Sequence, residues 1–316
     1  MSITVIPLTP FGCEIAGVDL EAELTAENAA AIRKAWVDHG IAVFRGLGTS
    51  ADAHLRVSRC FGEPQPAATK KLNLDQNPLL MKLDQDDHTP VNIYEVDGQK
   101  RTGWLGWHWD QAFMPEIVRG AVLRMTEAAV VAGETGFIHG GNAYDRLSQS
   151  MKDRIEGLEI VYHFNGRQEM NRFGFPSSLR LIERDDNQAT SIVKYEAEFP
   201  AVVHPLVIVQ PESARKILKL SPMHARYVLG MKAVESDALL HELAEALVDA
   251  RYAYFHKWEK HDMVAWDNWS VIHCANGVPP GVIRRAQRTT IIGDYKLGRY
   301  LDQATDASKF TTRFAD

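Results

Sequence analysis

Two short stretches of the chain hold residues whose types and spacing suit a metal ion. In Gly106-Trp107-His108-Trp109-Asp110 an imidazole and a carboxylate stand two positions apart. If the stretch is extended, residues two apart share a face, so His108 and Asp110 converge while Trp107 and Trp109 turn away. Taken alone, an HxD triplet is weak, because such pairs arise by chance and ordinarily make only hydrogen bonds. The second stretch, Met263-Val264-Ala265-Trp266-Asp267-Asn268 followed by Val271-Ile272-His273, reads as strand, turn and strand and supplies another imidazole. Two imidazoles and one carboxylate make the facial set that leaves positions open on iron(II) for a chelating cosubstrate and dioxygen. The same donor types also serve zinc.

Eleven residues beyond His273 stands Arg284, in Arg284-Arg285-Ala286-Gln287-Arg288-Thr289-Thr290-Ile291. A strand here places Arg284 and Arg288 on one face, about 13 Å apart at ~3.3 Å per residue, with Arg285 and Gln287 pointing the other way. One guanidinium can grip the far carboxylate of a dicarboxylate that chelates the metal, through a two-bond fork that lysine cannot reproduce. The other can address a second anion. Without the His/Asp set, both would read as solvated charge on a terminal strand.

These motifs resemble those of the iron(II)/2-oxoglutarate-dependent oxygenases of the taurine dioxygenase group, which also contains dichlorophenoxyacetate and alkylsulfate oxygenases. The matching residues are Ile15-Ala16-Gly17-Val18-Asp19-Leu20, Phe61-Gly62-Glu63-Pro64, Trp107-His108-Trp109-Asp110, Gly133-Glu134-Thr135, Trp266-Asp267-Asn268 with His273, and Arg284 to Arg288 running into Ile292-Gly293-Asp294. They span nearly the whole chain. The resemblance makes His108, Asp110 and His273 the iron ligands, Arg284 the partner of the distal carboxylate of 2-oxoglutarate, and Thr135 a hydroxyl donor to that group. Read without the family, Thr135 is a turn residue. Arg288 falls where family members address the anionic part of the prime substrate. The resemblance implies Fe(2+) as cofactor, 2-oxoglutarate and dioxygen as cosubstrates, and hydroxylation with release of succinate and carbon dioxide. Asp110 argues against halogenation, because the related halogenases replace this carboxylate with a small residue. Two readings come from other classes: a non-catalytic β-helix protein that uses the pocket to bind a metal or small anion, and a zinc-dependent hydrolase using the same three ligands.

The elements that must position these residues are mainly β with added helices. By resemblance they form a double-stranded β-helix (jelly-roll) core flanked by α-helices. Short strands are expected at residues 79–83, 192–195, 201–203, 263–266, 271–274 and 288–292, bounded by Gly, Pro, Asn and Asp. Thr25 can cap a helix through Ile32, Ala35 and Trp36 that stops at Gly40 before the strand Ile41–Phe44, and a second helix over Ala51–Phe61 stops at Gly62. Further helices are expected at residues 143–156, capped by Asn142, and 238–250, with a Leu239, Leu240, Leu243, Leu247 stripe. A length of 316 residues suggests two domains; the resemblance instead makes 1–316 one oxygenase domain. The polar segments 85–104 and 164–188 are candidate lids.

Composition narrows the partners. A net charge of −6 gives no general positive field for nucleic acid, and no apolar run approaches a membrane helix. The first residues lack a signal-peptide pattern, so a cytoplasmic enzyme acting on a small anionic molecule is expected, with a homo-oligomer allowed. Cys13, Cys60 and Cys274 show no CxxC spacing, so neither disulfides nor a zinc knuckle is indicated, and Cys274 reads as a buried inert thiol. His139, His163, His204, His224, His256 and His261 are dispersed and read as structural. No nucleophile elbow, P-loop or GxGxxG appears.

The expected substrate is a carboxylate or other small anion on an apolar, aromatic body, and not taurine. Where taurine-specific members carry a His and a Tyr after the Phe-Gly-Glu turn, this chain has Ala67 and Lys70; where they carry an Asn before the HxD, it has Trp104. Trp104 thus becomes a candidate substrate wall, with Phe173 and Phe175 beside it; its other reading is as a core residue.

Overall fold

The computed structural model describes residues 3–66, 73–86 and 91–302; Ala67 and Lys70 lie outside the described residues. Its larger sheet has nine strands, in the order Thr4–Pro7, Cys13–Ala16, Ile41–Phe44, Met263–Asp267, Gly120–Glu127, Arg284–Ile291, Asn77–Gln85 and Asn73–Leu74, with Pro64–Gln65 also paired to Arg284–Ile291. A second sheet runs Tyr254–His256, Thr135–His139, Val271–Ala275, Leu105–His108. One face of each is apolar, and the two faces share a core. Ile41, Val43, Leu123, Val264, Trp266 and Ala286 from the larger sheet pack with Phe137 and Val271 from the smaller. The Phe137 and Trp266 rings lie 5.8 Å apart across it. Two sheets closed over one core give the expected jelly roll.

Helices Ala26–His39 and Ala51–Phe61 pack against the other face of the larger sheet, over Val122, Met263, Ala265 and Ile291. Both start as the sequence predicts. The Thr25 hydroxyl accepts from the amide of Asn28 at 3.2 Å, and that of Ser50 from Ala53 at 3.0 Å. Gly40 ends the first helix at φ 78°, and a Cβ there would sit 2.7 Å from the His139 ring. Only glycine tolerates both constraints. Among the described residues, no helix is long and apolar enough to cross a membrane.

Three expectations need correction. Residues 192–195 lie in the helix Asp186–Glu198, where the Asp185 carboxylate accepts from the amide of Gln188 and Ile192 is buried while Val193 is exposed. A short β-branched run does not separate strand from helix; the capping aspartate does. The helix expected at 143–156 is two, Gly140–Arg146 and Gln149–Ile155, broken where Leu147 and Ser148 turn extended, and capped by His139 and Ser148 rather than Asn142. The helix expected at 238–250 begins earlier, as Ala233–Leu247.

The polar segments are also more ordered than irregular loops. Ile93–Val96 and Gln99–Thr102 form a hairpin whose central Asp97 and Gly98 have φ of 50° and 73°. The strand Arg180–Glu183, from the other segment, adds to its edge.

Candidate functional site

His273 stands directly opposite His108 in the antiparallel pairing of Val271–Ala275 with Leu105–His108. Opposed side chains on one sheet face are close neighbours, and the two imidazole centroids are 4.2 Å apart. Asp110 joins them differently from the sequence reading. The strand ends at His108, Trp109 is buried beneath it, and Asp110 lies in the following turn. One ligand atom from each of His108, Asp110 and His273 nevertheless lies within 4.8 Å of the others.

The electrostatics fit a metal. Nδ1 of His108 faces the Gly106 carbonyl at 2.7 Å, so that nitrogen carries the proton and Nε2 keeps its lone pair. Burial holds both imidazoles below their ordinary pKa, in the neutral form that coordinates. Burial opposes the charge on Asp110, but the Arg288 guanidinium, through its charge and its hydrogen bond, overcomes it and keeps the carboxyl well below the usual range. Two neutral nitrogens and one anionic oxygen are the donor set of a facial triad.

Buried donors orient Asp110. Trp266 Nε1 donates to its Oδ2 at 3.2 Å, and Arg288 pairs with the same oxygen at 2.8 Å. Oδ1 is left facing His273 Nε2 at 3.8 Å. The Asn268 amide clamps the backbone, accepting from Asp110 N at 2.7 Å and donating to the carbonyls of Asp110 and Val118 at 3.1 and 3.0 Å. Lys219, itself buried, donates to the Asn268 carbonyl and lies 4.3 Å over the Trp109 ring. Asn268 belongs to the Trp266-Asp267-Asn268 motif, but its clamping role is not legible because it acts across 158 positions, and Lys219 has no neighbouring motif.

A cavity of about 310 Å³ opens beside the triad, lined by Leu83, Gln85, Trp104, Leu105, His108, Leu123, Thr135, Trp266, His273, Cys274, Arg284 and Arg288 among others. The structure thus brings together His108, Thr135, His273, Arg284, Arg288 and Trp104 around one space, with Asp110 bonded to two residues of its wall. Arg284 is buried, and its guanidinium makes no hydrogen bond or ion pair among the described residues. Burial lowers its pKa to about 10 while Asp84 acts through space to support the charge, so it stays cationic at neutral pH. Arg288 also keeps a buried Nε without a hydrogen-bond partner among the described residues.

Trp104 packs edge-on to Phe175 at 5.8 Å and lies 6.1 Å from Tyr94, which ties the cavity wall to the hairpin. Phe173 departs from expectation: it is fully buried against His241, in the core around helix Ala233–Leu247. The other described histidines stay outside the ligand set. His139 caps a helix, and His224 packs behind His108 at 6.4 Å. All three cysteines are free and buried.

Comparison with known proteins agrees with this geometry. The family described as Taurine catabolism dioxygenase TauD, TfdA family matches residues 4–290. The chain is 28% identical over 267 residues to an (S)-phenoxypropionate/alpha-ketoglutarate-dioxygenase of Sphingobium herbicidovorans, covering 84% of this chain and 86% of that protein. It is 26% identical over 303 residues to an alpha-ketoglutarate-dependent 2,4-dichlorophenoxyacetate dioxygenase of Cupriavidus pinatubonensis, covering 93% and 99%. The crystal structure of a taurine dioxygenase from Burkholderia xenovorans shares its fold, with a TM-score of 0.75 at 24% identity over all of both chains. Of the readings open to the sequence, the family match selects the oxygenase.

Proposed function

Because the chain belongs to the taurine catabolism dioxygenase TauD, TfdA family, we propose that this iron(II)/2-oxoglutarate-dependent dioxygenase hydroxylates a small carboxylate carried on an apolar or aromatic body. Iron(II), 2-oxoglutarate and dioxygen together supply the oxidising power for a C–H bond, with succinate and carbon dioxide as co-products. His108, Asp110 and His273 would hold the iron. Trp266 and Arg288 occupy Oδ2 of Asp110 and so present Oδ1 for coordination.

The observation that carries the reading is Arg284, a guanidinium only 8% exposed in the triad's own cavity, supported by Asp84 only through space and with no hydrogen bond or ion pair among the described residues. A buried cation with no directly bonded partner is costly and calls for an anionic ligand. In this reading Arg284 and Thr135 hold the distal carboxylate of 2-oxoglutarate. Arg288, with donors to spare beyond its bond to Asp110, addresses the carboxylate of the substrate. Trp104 with Leu83 and Leu105 offers an apolar wall to the substrate body. Two relatives named for phenoxypropionate and 2,4-dichlorophenoxyacetate support this choice. One domain over 1–316 belongs to the same proposal, since both sheets contribute walls to one cavity.

The test is a paired assay of succinate release, with iron(II) and 2-oxoglutarate, on taurine and on aryl and aryloxy carboxylates. The carboxylates are expected to turn over and taurine to be poor, and Arg288→Ala to raise the carboxylate KM at least tenfold. Efficient taurine turnover, or carboxylate turnover indifferent to Arg288→Ala, would overturn the substrate class and leave the oxygenase chemistry standing.

A further inference from the structure

We propose that Trp258 is a positioning residue for 2-oxoglutarate: its indole N–H pins the Thr135 hydroxyl so that the hydroxyl proton is free to enter the cavity that Arg284 lines. The inference rests on the reading above, in which Thr135 and Arg284 seat the distal carboxylate.

Thr135 opens the strand Thr135–His139, paired with His256 on one side and Ala275 on the other, and its side chain is buried at the cavity wall. Trp258 lies two residues beyond the strand Tyr254–His256. Its ring folds back on the imidazole of His256, with centroids 4.3 Å apart, and Nε1 reaches Thr135 Oγ1 at 3.0 Å. An indole N–H can only donate, so the threonine oxygen must accept. That bond leaves the hydroxyl proton uncommitted, and it is the only hydrogen bond of the hydroxyl among the described residues. A free hydroxyl rotates to suit its surroundings. This one has a lone pair fixed on the Trp258 side, which restricts its proton to the remaining directions, and an oxygen that already accepts becomes a better donor.

Trp258 is itself held on both sides by one buried carboxylate. His256 Nε2 meets Asp262 Oδ2 at 3.2 Å, and the amide of Glu259 donates to the same oxygen at 3.1 Å. Arg45 and the amide of Gly46 complete the shell of Asp262 at 2.7 and 2.9 Å. The indole therefore sits on a fixed shelf, which is what positioning a hydroxyl requires.

Calorimetric titration of 2-oxoglutarate into anaerobic Mn(II)-loaded protein reads its Kd without turnover, and steady-state kinetics splits KM from kcat. Trp258→Phe keeps a ring on His256 and removes only the N–H. It is expected to raise Kd and KM for 2-oxoglutarate about two- to tenfold, the worth of one neutral hydrogen bond, with the loss falling on KM rather than kcat. Thr135→Val is expected to raise both at least as far, and Trp258→Phe added to it should produce no further rise. An unchanged Kd in Trp258→Phe, or a full multiplicative rise in the double variant, overturns the positioning role while the seat itself stands. An unchanged Kd in Thr135→Val overturns the seat, and the role of Trp258 falls with it. If Trp258→Phe does not fold, benzothienylalanine at position 258, with sulfur in place of N–H, puts the same question at constant ring size.

Discussion

At the metal end of the cavity, position is set by the two sheets and the turns that directly follow their strands. His273 opposes His108 by strand register, and Asn268 holds both backbone groups of Asp110. The rim is assembled otherwise. Trp104 meets Tyr94 from the hairpin and Phe175 from a segment more than seventy residues further on. That segment is joined to the hairpin by strand pairing and by Ser178, whose hydroxyl donates to Asp97 at 2.6 Å. The metal end rests on the regular core and the rim on two insertions that meet outside it. A substitution at the rim can therefore change what is bound without disturbing the triad, while the reverse does not hold.

The harshest break of that contrast is Asp110→Ala. The site loses its only anionic protein ligand, and Arg288 and Trp266 lose their acceptor. Hydroxylation is expected to vanish even with iron in excess, while the unfolding transition survives. Wild-type turnover would remove Asp110 from the ligand set.

Next in size is Arg284→Lys. An ammonium cannot reproduce a two-bond fork to a carboxylate. Losing a charge-assisted hydrogen bond of about 1.5–3 kcal/mol corresponds to roughly 10- to 150-fold in affinity for 2-oxoglutarate. An unchanged titration would show that another base holds the carboxylate.

The contrast between the two regions also explains what the sequence discloses. His108, Asp110, His273, Arg284 and Arg288 are legible because they sit in short local motifs that the family resemblance ties together, although Asp110 reaches the site from the turn after the strand and not by strand periodicity. The same stretches read as short strands and point to a sandwich or barrel; the jelly roll itself is what the family resemblance implies. Asn268 is invisible in its role because its partner Asp110 is 158 positions away, and Trp258 because Thr135 is 123 away. No periodicity encodes a contact across that distance. At the rim, Asp97-Gly98 carries a two-residue hairpin signal, yet nothing local says that Arg180–Glu183 will pair beside it. Phe173 and Phe175 look alike in sequence, and only packing sends the first to the core and the second to Trp104.

Trp104→Ala sharpens the comparison from the rim. It removes a ring from the cavity wall, and an aromatic contact contributes about 0.5–1.5 kcal/mol beyond its area, or roughly 2- to 12-fold. The KM for aryl carboxylates is expected to rise by that much or more while 2-oxoglutarate and iron titrate as in wild type. A matching rise in the 2-oxoglutarate KM would show that the rim and the metal end are not separable.

The smallest effect is a pH dependence confined to the core. His54 and His204 are buried and held down to about 3, and His139 to about 4, in each case chiefly by burial. His204 underlies the metal end: its ring lies 5.0 Å from that of Trp109, between the two ligands in sequence, and its Nε2 bonds the Met114 carbonyl at 2.8 Å. A depressed folded pKa means that the unfolded chain binds more protons between that value and about 6.5, so stability rises with pH across this window and is lost as pH falls through it. Denaturant unfolding of the metal-free protein is thus expected to show a midpoint that is level near pH 7.5 and declines steadily from about pH 6.5 toward 4.5. His204→Gln, whose amide can still donate to Met114 but does not titrate, should decline less steeply. The described residues that meet at the rim offer no matching group: Trp104 and Phe175 carry no titratable proton, and burial pushes the Tyr94 hydroxyl above its ordinary value, well outside the window. A level midpoint down to pH 4.5, or a His204→Gln slope equal to wild type, would mean that the buried imidazoles accept protons without opening the core, and the acid sensitivity assigned to the metal end would have to be withdrawn.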